Sequence, residues 1–215
     1  MSVLTSGLLE GLEWVHHGFG TRDANLTQDQ MVSLQQVHSN IVRVADRRTG
    51  CVGEGDALVT SEADVPVSIR TADCLPILLA DRRTCSVAAV HAGWRGTAAG
   101  IVGRTLERMH AEFGSRPEDM IAAIGPGIGH CCYEVGLDVA RQFGLDRAGH
   151  IDLAAQNRAQ LSKAGVPVEN IDVLNMCTFC EAGRFFSYRR EGDRAGRMIS
   201  YIGSGESPTK TLRAR

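Results

Sequence analysis

The sequence has no excess of charge of either sign: 23 basic against 25 acidic residues leave a formal net charge of −2. A dedicated nucleic-acid binder usually carries a clear basic surplus, so no nucleic-acid partner is expected. A long apolar run is also missing. The longest aliphatic stretch, Leu75–Ala80, is six residues and includes Pro76, far short of the roughly 20 that a helix needs to cross a bilayer. No membrane partner is expected either. Met1–Gly20 has no basic start and contains Glu10 and Glu13, so it does not read as a signal peptide, and a cytoplasmic protein is expected. Repeats, low-complexity tracts and linkers are absent. What remains is an ordinary globular composition, 43% hydrophobic and 22% charged over 215 residues, which is room for one domain with a sizeable core.

The cysteine count is seven, at positions 51, 74, 85, 131, 132, 177 and 180. Disulfides are disfavoured in a cytosolic chain, and free cysteine is often a buried hydrophobe, so packing is the default expectation for each. Short apolar or alternating runs read as strands: Ile41–Ala45, Ala57–Thr60, Val67–Ile69, Leu75–Ala80, Val87–His91, Met120–Ile124, Ile171–Leu174, Arg184–Tyr188 and Met198–Ile202. Helices are expected over Thr97–Phe113, where apolar residues form one stripe ending at Gly114, and over Asp152–Ala164, with a capping Asp and a terminal Gly165. Glu134–Phe143 and Thr27–Gln36 read as further helices. The strands outnumber the helices and do not alternate with them, so the class is α+β rather than a doubly wound sheet.

The unusual residues sit at strand ends. His38 precedes the strand from Ile41, Asp73 and Cys74 precede that from Leu75, and His91 closes that from Val87. Two imidazoles and a thiolate suit Zn²⁺, and three protein ligands leave a fourth position for water. The spacing matches no compact zinc finger, so the trio must converge through the fold. His91 leads into Ala92-Gly93-Trp94-Arg95-Gly96, where amides at a helix start beside the Arg95 guanidinium would suit an anion such as phosphate. Gly125–Gly129 is a second glycine turn but lacks the lysine of a phosphate-binding loop. Cys177-Thr178-Phe179-Cys180 has the spacing of a metal knuckle that Cys131-Cys132 would complete. Adjacent cysteines rarely share one ion, so Cys177 and Cys180 are expected to be reduced, mostly buried and without metal. The doublets Arg82-Arg83 and Arg189-Arg190 read as solvated charge.

Taken together, Gln36–His38, Gly55–Thr60, Thr71–Ile77, Ala89–Gly96, Ile124–Pro126, Cys131–Val135, Asn157–Leu161, Cys177-Thr178 and Phe185–Arg190 follow one family's order. From about residue 14 to residue 202 the chain resembles the laccase-domain purine nucleoside phosphorylases, also called the multicopper polyphenol oxidoreductase or polyphenol oxidase family. The resemblance implies a single domain with mixed sheets in an α/β/β/α layering, and metal ligands at His38, Cys74 and His91. It implies phosphorolysis of adenosine, inosine and S-methyl-5′-thioadenosine, with adenosine deamination as a side activity. The partners would be a purine nucleoside and phosphate, and the protein a monomer or weak homodimer. Cys74, Asp73 as proton carrier and Arg95 facing the anion are the catalytic candidates. Zn²⁺ is the expected ion and Cu²⁺ the second. A laccase cluster needs many imidazoles, whereas this chain has seven histidines and no His-x-His pair. The family often has cysteine and proline where this chain has Gly127 and His130, so no cysteine-based role is given to that turn. Three alternatives remain: a cysteine-type amide hydrolase of cell-wall precursor editing, with Cys74 as nucleophile and His91 as base; a copper-dependent polyphenol oxidase; and a non-enzymatic module binding cell-division or cell-wall proteins.

Overall fold

The computed structural model describes residues 3–45 and 49–205. The chain opens with β1 (Val3–Leu4), α1 (Gly7–Glu10), β2 (Val15–Gly20), β3 (Val32–Gln35), β4 (Val42–Val44), β5 (Gly50–Glu54) and β6 (Ala57–Thr60). It continues through β7 (Val67–Thr71), β8 (Leu75–Asp81), β9 (Val87–Ala92), α2 (Trp94–Ala98), α3 (Ile101–Phe113) and β10 (Met120–Ile124). The last third holds β11 (Glu134–Val135), α4 (Leu137–Arg141), β12 (Gly149–His150), α5 (Leu153–Lys163), β13 (Ile171–Val173), α6 (Tyr188–Glu191) and β14 (Met198–Ser204).

The strands form two mixed six-stranded sheets, ordered β1-β2-β14-β7-β3-β5 and β13-β10-β8-β9-β6-β4, plus the small β11–β12 pair. The fold is α+β, as expected, with a sheet-on-sheet centre. Side chains of β8 explain the layering, because successive residues point to opposite faces. Leu78 and Ala80 join Phe19, Val67, Ile69 and Ile202 of the first sheet in the core between the sheets. Leu75, Ile77 and Leu79 point the other way, into a second core with Ile101, Leu106 and Met109 of α3 and Leu153 and Leu161 of α5. A strand covered on both faces reads as a continuous apolar run rather than an alternating one.

Local expectations fared unevenly. Thr97–Phe113 is not one helix: α2 ends at Ala98, and Gly100, at φ 73°, breaks the path before α3 starts. Asp152 caps α5 as expected, its Oδ1 accepting from the Ala155 N–H at 2.9 Å. Thr27–Gln36, expected as a helix, instead holds β3, because Val32 and Leu34 enter the inter-sheet core while β5 and β7 take up the backbone in parallel pairing. Within Glu134–Phe143 only Leu137–Arg141 is helical, after the β11 strand. Arg184–Tyr188, expected as a strand, has no strand partner: the Arg184 and Phe185 N–H groups donate to Glu181 O, and Ser187 caps α6. β2 escaped the sequence reading because His16, His17 and two glycines mask its pattern; pairing with β1 and β14 makes it a strand.

Candidate active and metal site

Three crossings from the first sheet to the second meet at one edge of the sandwich. The β3–β4 crossing carries His38, β5–β6 carries Asp56, and β7–β8 carries Asp73 and Cys74. In the second sheet β9 lies antiparallel to β8, with His91 opposite Pro76, so His91 arrives beside Cys74. The candidate ligand atoms of His38, Cys74 and His91 lie within 4.8 Å of one another, and the two imidazole rings are 4.9 Å apart at 74°. His38 is exposed, Cys74 half-buried and His91 buried, so the cluster faces solvent from one side. Gly93 allows this convergence, since a Cβ there would come within 2.8 Å of Cys74 Sγ.

Asp56, fully buried, joins the crossings. Its carboxylate accepts from the backbone N–H groups of Val37 (3.3 Å), His38 (3.0 Å) and Ser39 (2.6 Å), from Ser39 Oγ (2.7 Å), and from His91 Nδ1 at 2.8 Å. Burial alone would raise its pKa, but the hydrogen bonds with His91 and Ser39 prevail and hold it at about 2. Nδ1 of His91 is therefore taken, which leaves Nε2 for Cys74. Burial depresses the His91 imidazole, yet Asp56 and Cys74 together raise it to about 9. For the Cys74 thiol, burial pushes upward and hydrogen bonds from His38 and His91 bring it down to about 6. The cluster thus favours a thiolate, the form that ligates metal or attacks carbon.

Asp73 and His38 both take left-handed backbone, at φ 84° and 58°, a conformation that costs non-glycine residues energy and is held by surrounding contacts. Those contacts pin Asp73. Its Oδ1 accepts from Thr178 Oγ1 at 2.6 Å, and its Oδ2 accepts from Ser187 Oγ at 3.1 Å and the Arg189 N–H at 2.6 Å.

Above the cluster opens a cavity of about 820 Å³. Arg70, Arg95, Arg189 and Arg197 line it, and Asp73 is the only carboxylate among its described lining residues. Aromatic rings hold three of these guanidinium groups: Arg95 lies over Trp94 at 4.4 Å, Arg189 over Tyr133 at 5.4 Å and Arg197 over Tyr188 at 6.0 Å. The lining therefore offers both positive charge and flat apolar surface to a ligand.

The structure thus gathers His38, Asp73, Cys74, His91 and Arg95 around one cavity. The sequence reading missed Asp56, Arg70, Tyr133, Arg189 and Arg197. Asp56 had a weak signal at most: it directly precedes the short buried strand β6, in the glycine-aspartate context of an ordinary turn. The Arg189-Arg190 doublet is not merely solvated. Arg189 lines the cavity, and Arg190 donates to the carbonyls of Thr178, Phe179 and Phe185. Cys177 and Cys180 are likewise not mostly buried: the first is half-buried and the second exposed. They lie with Cys131 and Cys132, outside both hydrophobic cores.

A protein-family model described as multi-copper polyphenol oxidoreductase laccase matches residues 20–205, and the chain belongs to that family. It is 44% identical to a purine nucleoside phosphorylase of Deinococcus radiodurans over 87% of this chain and 75% of the relative. It is 38% identical to an adenosine deaminase, RL5, from an unknown prokaryotic organism, over 81% of this chain and 75% of that one. Among solved structures it is similar to YlmD from Geobacillus stearothermophilus, at a TM-score of 0.85 and 28% identity, with 94% of each chain covered. The similarity supports an enzyme with a metal-binding site. No helix among the described residues is long and apolar enough to cross a membrane.

Proposed function

We propose that this chain is a metal-dependent purine nucleoside phosphorylase acting on adenosine, inosine and S-methyl-5′-thioadenosine, with adenosine deamination as a side activity. One observation carries the reading: a convergent His38/Cys74/His91 cluster at the base of a cavity whose walls pair guanidinium groups with aromatic rings. The donor set fits a divalent ion, since Asp56 fixes the His91 tautomer and Cys74 favours the thiolate. Zn²⁺ is the ion best suited; Cu²⁺ accepts the same donors, but the second ligand cluster among the described residues holds four cysteines and no histidine. When bound, such an ion supplies Lewis acidity and a position for an oxygen ligand.

The remaining work falls to the chain's own residues. Arg95 and its neighbours Arg70, Arg189 and Arg197 offset the charge of phosphate as one of its oxygens bonds C1′ of the ribose. The glycosidic bond breaks with its electron pair going to the purine nitrogen, which takes up the proton that hydrogen phosphate sheds on becoming an ester, and the Trp94 and Tyr133 rings offer flat surface to the base. Asp73, held by three donors, fixes the backbone that presents Cys74 and keeps a lone pair free for the role of proton carrier. We place the protein in the cytoplasm, where its free thiols stay reduced, as a monomer or weak homodimer.

The test is purified protein with adenosine, plus and minus phosphate, before and after chelation. Adenine and ribose 1-phosphate should form only with phosphate and only with metal, while inosine should form without phosphate. The low thiol pKa of Cys74 also supports a second reading, a cysteine hydrolase in which Asp56 orients His91 as base. Turnover that survives complete metal removal would favour it. The binding-module alternative loses ground, because the relatives carry enzyme names.

A further inference from the structure

Cys131, Cys132, Cys177 and Cys180 form a second cluster, far along the chain from the first, with all four Sγ atoms within 4.8 Å of one another. We propose that these residues are a second metal site, a tetrathiolate centre for a thiophilic divalent cation such as Zn²⁺ that joins the 127–133 loop to the 177–180 turn.

Packing does not account for them. Free cysteine is among the most buried residue types, yet Cys131 and Cys180 are exposed, and none of the four belongs to a hydrophobic core. The spacing is that of ligands. A tetrahedral ion at about 2.3 Å from each sulfur separates the sulfurs by about 3.8 Å; Cys131 and Cys180 are 3.7 Å apart and Cys132 and Cys180 3.4 Å. A disulfide needs about 2.05 Å, and all four cysteines are free.

The backbone is arranged around the sulfurs. The Glu181 N–H donates to Cys177 O, closing the Cys-x-x-Cys turn, and the Gly129 N–H donates to Cys177 Sγ at 3.2 Å. Amide donors to sulfur stabilise a thiolate ligand. The adjacent pair, which argues against a shared ion in an extended strand, lies here in a turn. Both the Cys132 and Tyr133 N–H groups donate to Gly129 O, and this curl brings Cys131 and Cys132 to the same Cys180 sulfur. Gly129 permits the approach, because a Cβ there would stand 3.3 Å from Cys131 Sγ and 3.4 Å from Cys177 Sγ. Four thiolates with one divalent ion leave surplus negative charge. The Arg190 guanidinium donates to the carbonyls of Thr178 and Phe179 inside the knuckle and so places a positive charge on the same turn.

The site has a structural consequence for the cavity. Thr178, inside the knuckle, donates to Asp73, the neighbour of Cys74, while Ile128 and Tyr133 beside the cysteine loop line the wall. An ion at the four sulfurs holds that wall in place.

The test separates the two sites. A His38→Ala/Cys74→Ala/His91→Ala variant, purified in reductant and loaded with Zn²⁺, should retain one zinc per chain by elemental analysis. In its Co²⁺ form it should show the intense sulfur-to-cobalt charge-transfer bands of a tetrahedral thiolate site. Zinc should protect four thiols from alkylation, leaving only Cys51 and Cys85 reactive. Adding Cys177→Ser and Cys180→Ser should abolish the bands; if that variant fails to fold, the stoichiometry and thiol protection decide without it. A triple variant that holds no stoichiometric zinc, equal alkylation with and without zinc, or disulfides among the four after purification in reductant would each overturn the proposal.

Discussion

Five hydrogen bonds end on the Asp56 carboxylate, and each comes from the loop that carries His38 or from the His91 ring. Removing that acceptor loosens both histidines at once. Asp56→Ala is therefore expected to weaken zinc affinity about 10- to 100-fold, the usual cost of losing an orienting partner of a ligand. Competition against a chromophoric chelator measures it, and wild-type affinity in the variant would remove Asp56 from the site. Cys74→Ala should abolish phosphorolysis while leaving a cooperative melt, because two continuous cores hold the fold without the metal. Loss of the melt with the activity would assign Cys74 to folding instead. Both histidines and Cys74 could be picked from the sequence because soft ligands at strand ends are conspicuous. Asp56 could not be singled out so readily, since an aspartate after glycine is also an ordinary turn residue.

At the scale of elements, α5 clamps the junction where α2 gives way to α3. Buried Asn157 donates through Nδ2 to Thr97 Oγ1 at 3.0 Å and to Leu153 O at 2.8 Å, and Gln160 Nε2 donates to Thr97 O at 2.8 Å. Asn157→Ala leaves Thr97 without this buried partner and should cost about 1–3 kcal/mol, read as a lowered urea midpoint at unchanged slope. Because α2 begins at Trp94 and Arg95, the variant should also raise the KM for phosphate; an unshifted KM would separate the clamp from the cavity. The periodicity of Thr97–Phe113 showed the helical face correctly but not the break at Gly100, since one glycine does not disturb an apolar stripe. β3 was misread for the opposite reason. Its residues tolerate either conformation, and only the parallel neighbours β5 and β7 select the strand.

For the molecule as a whole, acid sensitivity follows from a buried imidazole that is not among the residues lining the cavity. Burial lowers the His17 pKa from 6.5 to about 4, and its Nε2 accepts the Ser6 N–H at 2.9 Å, a role only the neutral ring can play. Between those pH values the unfolded chain takes up a proton that the fold refuses. Stability is thus full above pH 6.5 and is lost as pH falls toward 4, by about 3 kcal/mol from this group. His16, also lowered chiefly by burial, acts in the same direction. Thermal melts from pH 7 to 4.5 should show the decline, and His17→Gln should flatten it; an identical slope in the variant would place the acid sensitivity elsewhere.

The residue chemistry and the α+β class were written in the chain itself, because ligand types, glycines and apolar runs are properties of local sequence. The order of the strands, and hence the site, was not. His38, Asp56 and Cys74 come together because three successive crossings between two sheets leave by the same edge of the sandwich, and the four outlying cysteines because a turn and a loop meet beside that edge. Such convergence depends on which strands pair and on which faces are covered. Those are decided by packing between residues far apart in the chain, and no spacing along it records them.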